Sequence, residues 1–553
     1  MHKIDSILSG LIFLWAFVLA QPLHELPFDF SGQYGIASVN GRALWSTIWS
    51  SGLLLFDGSV VVNPRRLGPA TSQRFALFSS GGLPQMPTGT DSAGVTSKVE
   101  YDRGDWGLNR LDLSLRFSDT NSSLDLNGFK RSYLGPYGEF IQPGGIIGPI
   151  QQSYRLDYGS GTVETGRRAF SLAHYFTDSG LSDTLSSGQH RELLTSGGLF
   201  LEVPQGNWSW QVHTGQTLDH RVVKNPTGTA TFVRKLNQGF FHSQVELPRT
   251  TVGNIFFGLE TDRTTLPDVG NYRHNLFAGI RSDRLDLRAG IANIGSVTGF
   301  DGRIKLSREF GPWQGNLELL SEIRPVATSL LGYLTRRAEN WQGGSAAVQY
   351  RSSALDITAA SGIEHSGGHN SLFWSSVSDT LLPDRQPAHS WFQRTAVRYR
   401  PARDWEFFTE YQHTDNSHAT LGDGIADRLR FGFQGTLPPL FKGQLKLTAR
   451  VDAEGWLNRN PNLYYDPFRD IVYHAPTPAA VPQDAWPVSL QVHAVVSSVR
   501  ITYQVYNLSH ALAPVLRNII PDLNSEDLLI ATNSPFRPLY SLIQFRVEWT
   551  FSD

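Results

Sequence analysis

No cysteine occurs among the 553 residues of this chain, so neither a disulfide framework nor a thiolate metal site can form. That absence suits a chain exported unfolded into an oxidising compartment. Methionine is scarce as well, at 2 residues, and charged residues make up 18% of the chain, which is still too polar for a bundle of membrane helices. The formal net charge of −2 gives no basic surface for a nucleic-acid partner. Beyond the first 20 residues no run of 18 apolar residues appears, so a membrane could be crossed only by strands closed on themselves.

The first 20 residues do carry an address. "MHK" precedes the mostly apolar "ILSGLIFLWAFVLA", and Val18 and Ala20 place small residues before a cut at Gln21. This is the anatomy of a secretory signal peptide, assigned to residues 1–20.

Aromatics are abundant, at 12%, and they fall within a recurring period of two. In "QLKLTARVDAE", Leu445, Leu447, Ala449, Val451 and Ala453 share one face, while Gln444, Lys446, Thr448, Arg450, Asp452 and Glu454 share the other. "RLDLSLRFS" from Arg110, "RLDLRAGI" from Arg284, "WEFFTEYQ" from Trp405 and "RLRFGFQGTL" from Arg428 repeat it. A helix would scatter such residues around its surface, whereas strands sort them. A soluble sandwich alternates too, but its strands are about 5 or 6 residues long, and these run to about 10 to 13, the length that crosses a bilayer at a tilt.

The pattern predicts about 22 strands, from 97–104 to 542–552, in an all-β, closed antiparallel transmembrane barrel. Connections after even-numbered strands are terse, such as "DTN", "SDR" and "PARD". Those after odd-numbered strands include long segments at 134–150, 326–338, 370–389, 458–485 and 511–541. That sorting predicts periplasmic turns and external loops. Trp106, Trp208, Trp210, Trp313, Trp405, Trp456, Trp486 and Trp549 fall near strand ends, where rings on the apolar face would sit at headgroup level. The domains expected are thus the signal peptide, a lead-in or reduced plug over 21–96, and the barrel over 97–553.

The polar face supplies the candidate pore lining: Arg110, Arg116, Arg284, Arg288, Arg394, Arg398, Arg400, Arg428, Arg430, Lys446, Arg450, Arg500 and Arg546, with Glu406, Glu410, Asp452, Glu454 and Glu548. Arg303, Lys305, Arg324, Asp112, Asp286, Glu309, Glu318 and Glu322 share it. Facing rows of opposite charge would hold a hydrated pore open, or would simply pair off and solubilise the interior. The basic excess hints at anion preference.

Enzyme signals are thin, and no catalytic residue, cofactor or metal is expected. His365 and His369 lack a nearby third ligand. Ser366 has Glu364 where a nucleophile elbow needs glycine, and Asp423 and Asp427 lack calcium-loop spacing.

"VYNLSH" at 505–510, followed by "PFRPLYSLIQFRVEWTF" at 535–551, resembles the last two strands of TonB-dependent outer-membrane transporters and related porins. The resemblance implies that the final strand closes the barrel and is read by the barrel-assembly machinery, although Ser552 and Asp553 follow the terminal Phe551. "LLLFDGSVVVNPRRLG" and "SSGGLPQMPTGT" faintly resemble plug segments, without a TonB box. The function expected is a porin-like outer-membrane channel for passive diffusion of small hydrophilic solutes. The alternative is an energy-coupled transporter of the TonB-dependent type with a reduced plug, and a third class is an outer-membrane barrel enzyme, which would need His with Asp or Ser converging at the loop rim; outer-membrane lipid and, in the alternative, TonB are the expected partners.

Overall fold

The chain is described from a computed structural model covering residues 35–39, 42–46 and 93–552, less 133–149, 183–186, 225–230, 326–337, 419–424, 467–470, 475–483, 523–540 and single positions in other connections. The signal peptide and most of the lead-in therefore lie outside the described residues. So do Trp106 and Asp423.

Two short strands, β1 (Gly35–Val39) and β2 (Arg42–Ser46), form an antiparallel hairpin with Val39 opposite Arg42. The barrel begins with β3 (Gly94–Gly104), so residues 94–96 belong to the wall and not to the lead-in. It continues with β4 (Asn109–Ser118), β5 (Ser122–Ser132), β6 (Ile150–Thr162), β7 (Gly166–Ser182), β8 (Ser187–Gln205), β9 (Trp208–Lys224) and β10 (Thr231–Glu246). Next come β11 (Asn254–Leu266), β12 (Val269–Arg281), β13 (Leu285–Ile294), β14 (Val297–Phe310), β15 (Trp313–Pro325), β16 (Ala338–Arg351), β17 (Leu355–Ser375) and β18 (Thr380–Ala402). The last are β19 (Trp405–Asn416), β20 (Ile425–Thr436), β21 (Leu445–Arg459), β22 (Leu463–Asp466), β23 (Ile471–His474), β24 (Val488–Val496), β25 (Val499–Tyr506) and β26 (Leu542–Ser552).

The sheet closes as an antiparallel barrel of 24 strands, with β26 pairing β3 from Gln544↔Gly104 to Ser552↔Thr96. Two of these, β22 and β23, are a four-residue hairpin, and β21 pairs directly with β24, so 22 strands span the wall.

Burial is inverted relative to a soluble protein. Leu276 is 65% exposed and Ile291 64%, while Asp102 and Arg221 are fully buried. In a closed sheet, period-two alternation sends one set of side chains outward and the other inward. The apolar set points out and the charged set in, as the alternation predicted. Outward residues of β26 run from Ile543 to Phe551. Eight residue steps make ~27 Å along the strand, or ~21 Å once tilted by ~40°, close to the ~25 Å apolar band of barrels in membranes.

Connections sort by end. The two-residue turn at 206–207 and that at 311–312 join strands at one end, where Gly206 and Gly311 both adopt φ +63. That left-handed backbone is what a tight hairpin turn needs and what glycine supplies without strain. All connections longer than eight residues, 133–149, 326–337, 460–487 and 507–541, lie at the other end. These are called the turn end and the loop end below.

Three expectations are corrected. Residues 370–389 are not a loop: β17 and β18 extend through them, with Trp374 opposite Leu381. Gly367 and Gly368 absorb a register shift there, and Pro383 and Pro387 are tolerated because β18 pairs β19 only from Ser390 onward, leaving this stretch an edge. The strand expected over 499–510 ends at Tyr506, since Asn507 takes φ +47 and starts a helical turn. Trp456 does not face lipid; it is fully buried, with Arg459 6.0 Å from its ring. By contrast, Trp208, Trp210, Trp405, Trp486 and Trp549 are exposed, and Tyr154, Tyr272 and Tyr411 form an exposed set toward the loop end.

Candidate functional site

The interior carries a lattice of ion pairs, and its tightest part lies where the barrel closes. Arg546 on β26 donates from Nε to Asp102 Oδ1 at 2.7 Å and lies 3.2 Å from Glu100. Lys98 bridges Glu100 at 3.0 Å and Glu548 at 2.9 Å, and Arg500 reaches Glu548 at 3.7 Å. Arg110 pairs with Asp112 and approaches Asp102 at 3.8 Å. Alternation places all of these on one face of four adjacent strands, so the first and last wall strands are joined by side chains as well as backbone.

A second knot surrounds Glu260 on β11. It accepts from both terminal nitrogens of Arg288, at 2.7 and 2.5 Å, and lies 3.2 Å from His242 Nδ1. Arg273 joins Asp262 at 3.2 Å and Asp301 at 2.5 Å. Aromatics pack beside it: Arg288 stacks 3.9 Å over Phe277, Arg281 lies 4.8 Å over Phe256, and the two rings are 6.1 Å apart. These rings lie across glycines, since a Cβ on Gly279 would come within 2.4 Å of Phe256.

Most of the expected lining residues are in such pairs. Arg394 pairs with Glu410, Arg398 and Arg400 share Glu406 at 3.2 and 2.8 Å, and Arg430 and Arg450 share Asp452 at 3.1 and 2.7 Å. Arg116 meets Asp125 at 2.5 Å. Arg284 departs from the expectation, for it sits exposed in the turn before β13, and Lys446 is exposed near the start of β21. Arg428 and Glu454 lie on β20 and β21, and their side chains fall outside the described ones.

The sequence reading missed the buried carboxylates Glu100, Asp102, Asp125, Glu202, Asp219, Glu260 and Asp301, although "KVEYD" already spaces Lys98, Glu100 and Asp102 two apart. Three of them meet arginines that were also outside the expected set, Asp219 with Arg234, Glu202 with Arg167 and Asp301 with Arg273. A lattice of this kind makes a polar lining whose charges are held in place by their partners.

At the loop end, Glu339 is buried and accepts from Trp341 Nε1 at 2.9 Å, Asn370 N at 2.7 Å and Asn370 Nδ2 at 2.9 Å, with His369 Nδ1 at 3.2 Å. The register shift turns His369 into this cluster while His365 stays exposed, so the two histidines do not converge. The β22–β23 hairpin reaches back to β17 here, with Phe373 opposite His474 and Trp374 6.0 Å from Tyr473. Asp427 accepts from Tyr411 at 2.6 Å and Asn458 at 2.6 Å, with His413 at 2.7 Å. Among the described residues, no three His, Cys, Asp or Glu side chains gather as a metal site.

No protein-family model and no curated protein sequence matches the chain. Solved structures do resemble it. The copper transporter OprC superposes with a TM-score of 0.63 at 10% identity, over 87% of this chain and 84% of the other. The FrpB iron transporter from Neisseria meningitidis (F5-1 variant) gives 0.60 at 8% identity, over 84% and 83%. The ferric yersiniabactin uptake receptor FyuA from Yersinia pestis gives 0.57 at 11% identity, over 94% and 86%. The closed wall and these likenesses together give this chain the fold of a TonB-dependent-receptor-type barrel.

Proposed function

We propose that the protein is an energy-coupled transporter of the bacterial outer membrane, of the TonB-dependent type, and not a passive porin. The observation that carries this is the size of the wall. A barrel of 22 spanning strands encloses a lumen wide enough that an open one would be a large leak, and natural barrels of that size hold a plug. Residues 21–92, upstream of β3, are the segment that would occlude it. They include the β1–β2 hairpin.

Export by residues 1–20, turns on the periplasmic side and recognition of β26 by the assembly machinery complete the reading. The solute is small and hydrophilic, in keeping with the charged interior. The names of the three fold neighbours, for copper, iron and a ferric chelate, support a metal ion or its chelate as the class.

The test is uptake of such a solute by cells dependent on this protein, with and without a protonophore. Uptake should collapse when the proton gradient is dissipated and when TonB is removed. Uptake that persists at an unchanged initial rate under both treatments would restore the passive-channel reading.

A further inference from the structure

Directly after β25, the stretch "LSHALAPVLRNII" leaves the wall at the loop end and forms two short helical turns, Leu508–Ala511 and Ala513–Leu516. Its backbone is satisfied internally: Leu512 N donates to Leu508 O at 2.8 Å, Leu516 N to Leu512 O at 2.9 Å, Arg517 N to Ala513 O at 3.0 Å, and Ile520 N to Leu516 O at 2.8 Å. Yet it presents apolar side chains outward. Leu512, Val515, Ile519 and Ile520 are all exposed, Ile519 to 73%, and the first three recur at helical spacing on one face. Arg517 is the only Lys or Arg between Leu508 and Ile520.

The position of the stretch identifies what covers that face. His510 Nδ1 accepts from Ser541 N at 3.3 Å, two residues before Ile543, the first outward apolar residue of β26. The first helical turn also packs against β24. On β25, the outward Ile501 and Tyr503 are 37% and 42% exposed, but Val505, on the same face and nearest this stretch, is only 5% exposed. The chain therefore folds over the outer side of the wall, at the upper edge of its apolar band.

We infer that residues 508–520 are an interfacial anchor, lying in the membrane plane with Leu512, Val515 and Ile519 inserted at the headgroup–acyl boundary of the outer leaflet. The occupant of the exposed apolar face is lipid, because that face continues the band on β25 and β26. A helical stretch with satisfied backbone, an apolar face and few charges is what such a boundary accepts. The anchor would hold residues 508–520 against the rim beside β25 and β26. The inference rests on the reading of the wall as membrane-spanning.

The absence of cysteine makes a clean test. Val515→Cys and, separately, Ile519→Cys are spin-labelled in the full chain reconstituted into phospholipid bilayers, with Leu276→Cys and Asn121→Cys as lipid-band and turn references. Folding is checked by heat-modifiable gel migration. Labels at 515 and 519 should be more accessible to oxygen than to a water-soluble nickel complex, with a ratio several-fold above that at 121 and below that at 276. A ratio equal to that at 121 would overturn the anchor in favour of a solvent-facing loop. Labels shielded from both quenchers would overturn it in favour of packing against the chain itself. If the label at 276 also reads as water-exposed, the membrane-spanning reading fails first.

Discussion

Asp102 ties the closing strand β26 to β3 through a buried ion pair. It is fully buried and receives Arg546 Nε at 2.7 Å and NH2 at 3.2 Å across the β26–β3 seam, with Arg110 at 3.8 Å on its other side. Asp102→Ala takes the carboxylate away and leaves the Arg546 guanidinium with Glu100 alone at 3.2 Å. Breaking a buried pair from one side costs ~3–5 kcal/mol, and the remaining Glu100 contact argues for about 3 kcal/mol here. The combined change Asp102→Leu with Arg546→Met removes both charges and should return stability to within ~1 kcal/mol of the parent, since an apolar pair of similar volume has no charge to desolvate. Guanidinium titrations of the folded barrel in detergent, scored by heat-modifiable migration, measure both. The reasoning is refuted if Asp102→Ala unfolds within ~1 kcal/mol of the parent, or if the double variant is the weaker of the two.

Three further outcomes are expected. Leu276→Arg, at an outward position of β12, should cost ~2–4 kcal/mol and impair insertion, while Thr448→Arg on the inward face of β21 should leave insertion intact; liposome refolding yields compare them. In intact cells, a membrane-impermeant thiol reagent should label Arg517→Cys and spare Asn121→Cys, and the reverse pattern would invert the topology. Burial holds His510 below its ordinary range, so it is neutral in the fold. Its contact with Ser541 is fully present above the unfolded value of ~6.5 and is lost as pH falls through the lowered folded one. A spin label at Val515 should accordingly gain mobility as pH falls from about 7.5 through that lowered value, and mobility that stays constant down to the onset of acid unfolding would contradict the assignment.

The wall was legible because its signal is periodic. Alternation in "RLDLSLRFS" is the face pattern of β4, and "DTN" and "PARD" mark turns that the structure places at one end. What escaped depends on contacts between distant segments. The run "HSGGHNSLFWS" looks like a loop tip until "TLLPDRQPAHS" is seen to pair with it, and a two-glycine register shift has no local signature. Trp456 lies near a strand end, like the rings that face lipid, but it shares the inward face of β21 with Arg450 and Asp452, so the alternation itself turns it into the interior. In the interior, the arginines were visible by period, and partners two residues along the same strand, as in Arg110–Asp112 and Arg450–Asp452, were too, but others lie on neighbouring strands. Pairing Arg546 with Asp102 requires knowing that the last strand meets the first.

The claim at the centre of the account is that a lumen of this width is kept shut until energy is supplied. Single-channel recording of the full chain in planar bilayers tests it most directly, beside a variant lacking residues 21–92. The intact chain should insert without steady conductance, and the shortened one should conduct through a large, weakly selective pore with the wall still folded. Steady conductance in the intact chain, unchanged by the deletion, would contradict the account.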